Sequence, residues 1–238
     1  MFDLHVLAVG DFGRAVADRL RNRPSVVVSP EADLFQPGRW PRAGLRVVAA
    51  WRESPALFDL VDGLSFATGT PWLPVTMGVS ALRVGPAVLG RQGPCYQCFL
   101  ARQYQHQHLR ELDRRLFRAY DADPELGPGG FLETHVVLAE TAVGPVADAV
   151  LGGDGPAERG RVRSFDLLSA AVSAVSVVPV HGCRRCDREV PDATWRRLAD
   201  DLREVLPVPA TDPATDPATD PATDPATDSA AALTTRRG

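Results

Sequence analysis

The sequence predicts an α/β fold, and three observations support this prediction. The chain opens with an apolar segment, residues 4–9, followed by a glycine turn and a helix-forming segment, residues 14–21. A run of three valines, residues 26–28, then completes a strand–helix–strand unit. Further short apolar segments follow, and 45% of the 238 residues are hydrophobic, as expected of a globular protein with a buried core.

The remaining elements are predicted from apolar periodicity and from the positions of Gly and Pro. The first of these are a strand over residues 45–50, a short helix over residues 55–61, and strands over residues 73–79 and 81–89. Two longer helices follow, over residues 99–120 and 131–151. The chain then forms a β-hairpin of residues 163–168 and 172–180 and a closing helix over residues 192–206. The pattern predicts that Leu109, Leu112, Leu116 and Tyr120 of the first long helix fall on one face, and that Gly144-Pro145 kinks the second helix.

Four cysteines form two Cys-x-x-Cys pairs, Cys95 with Cys98 and Cys183 with Cys186. Two such pairs supply the four thiolates that close a tetrahedral zinc shell, which is typical of a structural site. Because residues 99–182 separate the pairs, the metal would clamp a C-terminal hairpin to a distant part of the domain. Redox motifs and disulfides are the alternatives, but neither pair follows a thioredoxin-like strand-to-helix start.

The composition excludes several classes of function. The chain contains no lysine, since all 26 basic residues are arginine, and this excludes a Walker P-loop lysine and a Schiff-base lysine. No uninterrupted apolar run approaches the ~18 residues of a membrane span, and the N-terminus lacks the basic region of a secretory signal. We therefore expect a cytoplasmic protein without a membrane partner.

The C-terminal segment differs in composition from the rest of the chain. Over residues 209–228 the unit Pro-Ala-Thr-Asp occurs five times. Proline at every fourth position blocks helix and sheet hydrogen bonding, and no large apolar side chain is available for burial. The sequence predicts a domain of residues 1–206 and a disordered tail of residues 207–238. The tail carries most of the net charge of −4, so the body is nearly neutral, which argues against nucleic-acid binding.

Three segments together resemble the ubiquitin-activating-like family of ThiF, MoeB and HesA: the opening strand, glycine turn and helix; the paired cysteines; and the hairpin that ends at the second pair. The stretch Leu82-Arg-Val-Gly-Pro-Ala-Val-Leu-Gly90, followed by Gly93-Pro-Cys-Tyr-Gln-Cys98, is most similar to one divergent branch. That branch comprises the ThiF-like partners of YcaO-type cyclodehydratases, the precursor-leader-peptide-binding proteins of thiazole/oxazole-modified peptide biosynthesis.

The resemblance implies a doubly wound Rossmann-like sheet with a zinc-clamped C-terminal β-hairpin. It implies a YcaO-type cyclodehydratase and a precursor peptide as partners, and it allows a homodimer. Proteins of this branch commonly begin with a winged-helix leader-recognition module, whereas this sequence opens on the first strand. We therefore expect the precursor peptide to be presented by a separate leader-recognition protein.

The glycine turn departs from the pattern of adenylating members, which is similar to G-x-G-G-x-G. Only Gly10 and Gly13 remain, while Phe12 and Ala15 occupy glycine positions. A bulky Phe12 is expected to obstruct the approach of the backbone to a triphosphate. We interpret Gly10 and Gly13 as a degenerate nucleotide turn, expect no ATP binding and assign no catalytic residue.

Two hypotheses of function remain. The first is a non-catalytic scaffold that supports a cyclodehydratase; the second is an active adenylyltransferase of the ThiF/MoeB type that acts on a peptide or on the C-terminus of a sulfur carrier. Only Glu31 and Asp33 follow the second strand as candidate ribose ligands. The degenerate turn and the absence of lysine favour the scaffold. The arginine-rich segment of residues 102–118 is interpreted as a solvated helix face, with a docking surface for an acidic partner as the alternative.

Overall fold

The computed structural model describes residues 2–105, 110–123, 126–127 and 129–186. These residues form a mixed α/β fold with a seven-stranded sheet and six α-helices. The elements are β1 (Phe2–Val9), α1 (Gly10–Leu20), β2 (Val26–Val28), β3 (Ala43–Ala50), α2 (Pro55–Thr68), β4 (Trp72–Met77), β5 (Ala81–Val84), α3 (Tyr96–Gln105), α4 (Arg110–Ala122), α5 (Glu133–Gly152), α6 (Gly155–Glu158), β6 (Arg161–Asp166) and β7 (Val172–Ser176).

The strand order is β2-β1-β3-β4-β5-β6-β7. Strands β1 to β4 pair in parallel, whereas β5, β6 and β7 each run antiparallel to the preceding strand in the order. The chain leaves β1 towards β2 on one side and returns to β3 on the other. In open α/β sheets this reversal leaves a crevice at the carboxyl ends of the two central strands.

Helices cover both faces of the sheet. On one face α1 and α5 pack against the strands through residues such as Phe12, Val16 and Val143. On the other face Phe58 of α2 and Tyr96 of α3 pack around Trp72 of β4. Burial on both faces explains why β1, β3 and β4 appear in the sequence as apolar runs without alternation. Each of these large side chains stabilises the fold by about 1.5–3 kcal/mol.

A buried polar network crosses β1, β2 and β3. Arg46 Nε donates a hydrogen bond to His5 Nδ1 at 2.9 Å, so His5 Nε2 carries the ring proton and donates to Ser29 Oγ at 2.8 Å. The guanidinium of Arg46 stacks over Trp40 at 4.8 Å. Burial, together with the neighbouring Arg46 charge, lowers the pKa of His5 to about 3. The network therefore requires a neutral imidazole.

The opening strand–helix–strand unit and the antiparallel hairpin of β6 and β7 confirm two sequence predictions. Helix α2 is longer than predicted and ends at Thr68, because Gly69, with φ of +78°, provides a left-handed cap. The single helix predicted over residues 99–120 corresponds to α3 and α4, and Leu112 and Leu116 of its apolar face are exposed. Residues 106–109, the closing helix and the tail lie outside the described residues.

Helix α5 is long and apolar enough, by length and composition, to cross a membrane. The sequence analysis counted only uninterrupted apolar runs and therefore did not identify it. Val143 and Val146 of this helix are buried in the core against α1 and the sheet. Arg19 of α1 forms ion pairs with Glu133 and Glu140 at 2.7 and 2.6 Å. These contacts are those of a core helix in a packed α/β domain.

Candidate functional site

The two cysteine pairs lie together in space. Cys95 precedes α3 and Cys98 lies in its first turn, whereas Cys183 and Cys186 lie in the turns that follow β7. The four Sγ atoms all lie within 4.8 Å of one another, with distances of 3.6 Å for Cys95–Cys183 and 3.4 Å for Cys98–Cys186. Four sulfurs at 2.3 Å from a tetrahedral ion would be about 3.8 Å apart. The cluster therefore fits a single metal ion.

The alternative of disulfides does not match this geometry. The Cys95–Cys98 sulfurs are 3.9 Å apart, and all four cysteines are free. A disulfide needs a sulfur–sulfur distance of about 2.0 Å. The sulfur–sulfur distances between the pairs, 3.6 and 3.4 Å, are similar to the one within the first pair, so the arrangement is that of a ligand set.

The electrostatics of the cluster favour a cation. Hydrogen bonds from Cys186 and Cys95, and from the Val180 amide at 3.4 Å, lower the pKa of Cys98 to about 2. Hydrogen bonds to Cys186 and Cys98, followed by burial, raise the pKa of Cys95 far above its ordinary value. Four thiolates this close repel one another strongly. A bound cation is what allows all four to ionise together.

Arg185, between the two cysteines of the second pair, binds helix α2. Its Nη2 lies 2.6 Å from Asp59 Oδ1, its Nη1 donates to the Asp59 carbonyl at 2.9 Å, and its Nε lies 3.4 Å from Asp62 Oδ2. Gly63 makes room for this side chain, because a Cβ there would lie 2.7 Å from Arg185 Nη1. The second pair is thus attached to α2 without the help of a metal.

The same two carboxylates hold the first pair. Gln97 Nε2 donates to Asp59 Oδ1 at 2.7 Å, and the Tyr96 amide donates to Asp62 Oδ1 at 3.0 Å. Trp72 Nε1 also donates to Asp62. Asp62 is fully buried, and burial raises its pKa to about 6. The sequence analysis missed this arrangement, although an arginine between two cysteines and two aspartates three residues apart on α2 are visible in the sequence.

Arg102 of α3 also attaches the segment before the second cysteine pair to the rest of the domain. Its Nε donates to the Val178 carbonyl at 3.1 Å and its Nη2 to the Pro179 carbonyl at 2.8 Å. Arg102 belongs to the arginine-rich segment that was interpreted as a solvated helix face, and in the structure this half-buried side chain also holds the segment that leads from β7 to the second cysteine pair. Arg115 and Glu111 of α4, by contrast, form an exposed ion pair.

The predicted glycine turn lies at the start of α1, where each glycine is required by packing. Gly10 has a φ of +68°, and a Cβ on it would lie 2.3 Å from Trp51 Cδ1. A Cβ on Gly13 would lie 2.3 Å from the Ala49 carbonyl oxygen of β3. Gly13 therefore permits the close approach of α1 to the sheet. Gly10 leaves space that the Trp51 indole occupies.

Phe12 was expected to obstruct the turn, but its side chain lies in the core. It is fully buried and packs edge-on against Phe131, with ring centroids 5.6 Å apart. The side chain that lies against Gly10 is Trp51, at the end of β3. The parallel register, which pairs Val9 with Ala50, brings Trp51 to the turn.

The turn forms part of a crevice of about 830 Å³ at the carboxyl ends of β1 and β3. Its charged groups already pair with one another: Arg14 lies 2.5 Å from Asp11 and 3.2 Å from Glu31. Of the two candidate ribose ligands, only Glu31 lines the crevice, whereas Asp33 pairs with Arg39 at 3.0 Å. The positive charge of Arg14 is therefore already offset by two carboxylates.

Arg52 closes one side of this crevice. Its Nη2 donates to the carbonyl oxygens of Tyr120 and Asp123 at 2.9 and 3.0 Å, and its guanidinium stacks 4.3 Å from the Tyr120 ring centroid. Burial lowers the pKa of Arg52. These bonds attach the C-terminal end of α4 to the end of β3. The sequence analysis did not identify Arg52, since its partners are about 70 residues away along the chain.

Comparisons with known proteins relate this fold to several solved structures. No model of a known protein family and no curated protein matches the chain. The structure of the heterocyclase TruD is similar over 79% of this chain and 28% of that chain, with 18% identity and a TM-score of 0.58. A heterocyclase in complex with substrate and cofactor is similar over 78% of this chain and 25% of that chain, at 15% identity and a TM-score of 0.57.

MccB of E. coli is also similar, with 14% identity and a TM-score of 0.55, over 80% of this chain and 66% of that chain. Other MccB structures contain ATP, or AMPCPP with the peptide MccA. At these identities the likeness shows a shared fold. The chain spans about a quarter of the length of the two heterocyclases.

Proposed function

We propose that this chain is a non-catalytic, ThiF-like scaffold that supports a YcaO-type ATP-dependent cyclodehydratase in azoline formation on a ribosomally made precursor peptide. It acts in the cytoplasm. Its sheet is the doubly wound, Rossmann-like sheet of that family. The observation that carries the non-catalytic assignment is the packing of Trp51 against Gly10.

Phosphate groups bind at a helix N-terminus when several backbone N–H groups are free and no side chain lies in the way. In this chain α1 begins at Gly10, and the Trp51 indole lies at that position. Arg14, a cation that lines the crevice, is paired with Asp11 and Glu31, and the chain has no lysine. A triphosphate would have to displace the indole and compete with two carboxylates for Arg14.

The fold supports the assignment to peptide maturation. The similar structures include two heterocyclases and MccB with the peptide MccA. The Val84-Gly85-Pro86 block and the paired cysteines add the resemblance to cyclodehydratase partners. Gly85 is required in this block, because a Cβ there would lie 2.3 Å from the Arg161 carbonyl oxygen of β6.

The metal in this proposal is structural zinc, bound by Cys95, Cys98, Cys183 and Cys186. Four thiolates in a tetrahedral arrangement suit zinc, and they leave no open position for a water or a substrate. The zinc would clamp the segment after β7 to the start of α3. A reducing cytoplasm keeps such thiols available to the metal.

An active adenylyltransferase of the ThiF/MoeB type is the second candidate. The observation in its favour is the crevice of about 830 Å³ at the carboxyl ends of β1 and β3, where open α/β sheets bind their ligands. In this case the Trp51 side chain would have to move when nucleotide enters.

Two assays separate the candidates. The scaffold predicts no ATP–pyrophosphate exchange by the isolated protein with any precursor peptide, and a higher rate of azoline formation when the protein is added to its cyclodehydratase. Azoline formation is followed by mass spectrometry as the loss of one water per ring. Exchange that disappears in Gly10→Ala, while this variant retains its metal, would establish the adenylyltransferase instead.

A further inference from the structure

Strand β7 forms the outer edge of the sheet in the part of the chain that the structure describes, and its strand neighbour is β6. All five of its residues are exposed, including Val172 at 65% and Val175 at 59%. Natural edge strands are usually protected by charged residues, proline, bulges or a covering element. The strand itself, Val-Ser-Ala-Val-Ser, contains neither a charge nor a proline. In the described part of the chain, β7 is thus an unprotected edge.

The hydrogen bonds at both ends of the hairpin show which main-chain groups face outward. Asp166 N donates to the Ala171 carbonyl at 2.8 Å, and Val177 N donates to the Gly160 carbonyl at 2.9 Å. Main-chain groups alternate in direction along an antiparallel pair. Ala171, Ser173, Val175 and Val177 therefore point towards β6. The N–H and C=O groups of residues 172, 174 and 176 point to the open side, where no described strand pairs with them.

We propose that the open edge of β7 binds the precursor peptide as an added antiparallel strand; this assignment rests on the proposed function above. Main-chain hydrogen bonds to Val172, Ala174 and Ser176 supply the affinity, and alternate side chains supply the specificity. The bound segment is extended and free of proline at its paired positions. It carries small or β-branched side chains opposite Val172 and Ala174.

The positive charge of Arg161 indicates which end of the bound peptide is acidic. Arg161 of β6 pairs in register with Ser176, is exposed, and forms no ion pair with the carboxylates of the described residues. An antiparallel peptide places its N-terminal residue opposite Ser176, within reach of the long Arg161 side chain. An acidic residue at the N-terminal end of the bound segment therefore complements this edge.

The size of the edge favours a peptide over a second copy of this chain. Pairing with β7 engages five residues, whereas stable interfaces between folded proteins use about 20–30 residues on each side. An added peptide strand needs only the main-chain bonds and the side-chain contacts of its own short length.

The test uses the full chain, labelled with ¹⁵N, and the synthetic peptide acetyl-Asp-Thr-Val-Thr-Val-amide, which places Asp opposite Ser176 and Val opposite Ala174 and Val172. Titration by NMR is expected to shift the amides of these three residues and to slow their hydrogen exchange. Ala174→Pro removes only the outward N–H, which an edge strand tolerates. It is expected to weaken binding about tenfold, the loss of roughly one hydrogen bond.

Matched controls accompany this variant. Ala174→Val keeps the N–H and is expected to bind like the wild type, and equal melting temperatures for the two variants show that the hairpin is intact in both. Arg161→Gln is expected to reduce affinity for the Asp peptide to that of the same peptide with Thr in place of Asp. Equal affinity of wild type and Arg161→Gln for the Asp peptide would overturn the charge assignment.

Other outcomes overturn the edge site. Slow hydrogen exchange of the three amides in the free protein would show that another occupant already covers the edge. If this protection depends on protein concentration, the occupant is a second copy of the chain. If it does not, the occupant is another segment of the same chain. Peptide-induced shifts confined to the crevice would place the peptide there. Binding at the edge without stimulation of the cyclodehydratase would remove the precursor assignment and the proposed function, whereas stimulation without edge binding would remove the edge site alone.

Discussion

Arg185 Nη2 lies 2.6 Å from Asp59 Oδ1, and this ion pair joins the second cysteine pair to helix α2. Asp59 also accepts a hydrogen bond from Gln97, beside the first pair. The two cysteine pairs are therefore connected twice, once through their sulfur atoms and once through a carboxylate on α2. The two connections differ in chemistry, so they can be removed separately.

The cysteine cluster is expected to bind about one equivalent of zinc, because four thiolates fill one tetrahedral shell. Cys183→Ser should lose the metal and lower the melting temperature, since it removes one ligand and leaves three crowded sulfurs. Elemental analysis by mass spectrometry and thermal unfolding measure the two effects. Arg184→Ser is the control, because Arg184 is exposed in the same turn and supplies no ligand. Full metal content in Cys183→Ser would exclude the cluster as the site.

A double-mutant cycle with Asp59→Asn and Arg185→Gln should give a coupling free energy of about 0.5–1 kcal/mol. The value is modest because the Asp59 side chain is 55% exposed and solvent screens the pair. Arg185→Gln should cost more than Asp59→Asn, since it also removes the cation beside buried Asp62. Urea unfolding at constant zinc concentration measures the free energies. Strict additivity of the two substitutions would show that the ion pair does not stabilise the fold.

The contribution of His5 to the stability of the protein should decrease as the pH falls from about 6.5 towards 3. The pKa of His5 is lowered to about 3 in the fold and is about 6.5 in an unfolded chain. The unfolded state therefore binds a proton in this window and the folded state does not, so the contribution of His5 is complete above pH 6.5 and is lost on acidification. The slope of this His5 contribution reaches about 1.4 kcal/mol per pH unit.

His5→Gln tests this prediction, because its amide can accept from Arg46 and donate to Ser29 without titrating. Urea unfolding of both proteins between pH 7 and pH 4.5 should show a flatter profile for the variant. Acid release of a metal affects both proteins equally and cancels in the difference. Parallel profiles would mean that His5 does not contribute to the acid sensitivity.

Gly13→Ala should destabilise the fold by about 1–3 kcal/mol, because its Cβ would lie 2.3 Å from a main-chain oxygen of β3 that cannot move away freely. Gly38→Ala is the matched control: nothing lies within 4 Å of its Cβ position, and its effect should stay within about 0.5 kcal/mol. Chemical denaturation measures both. A neutral Gly13→Ala would show that α1 can shift relative to the sheet.

The sequence predicted those features that depend on local pattern. Strands β1 and β3 were identifiable because both of their faces are buried, and the cysteine pairs because their spacing is short. The contact of Trp51 with Gly10 could not be predicted, since it depends on the register of two parallel strands that are distant in sequence. Periodicity predicted a helix at Leu112 and Leu116, but it could not show that this stripe is exposed.

Because Trp51 lies at the crevice, its intrinsic fluorescence can report on ligand binding there. An indole against a helix start, next to the Arg52 guanidinium at 5.3 Å, has an emission that depends on water and on nearby charge. A molecule that stacks on this ring or displaces it changes that emission. Fluorescence of the unlabelled protein can therefore be used to screen for ligands. Subtracting the spectrum of Trp51→Phe removes the signal of the remaining tryptophans.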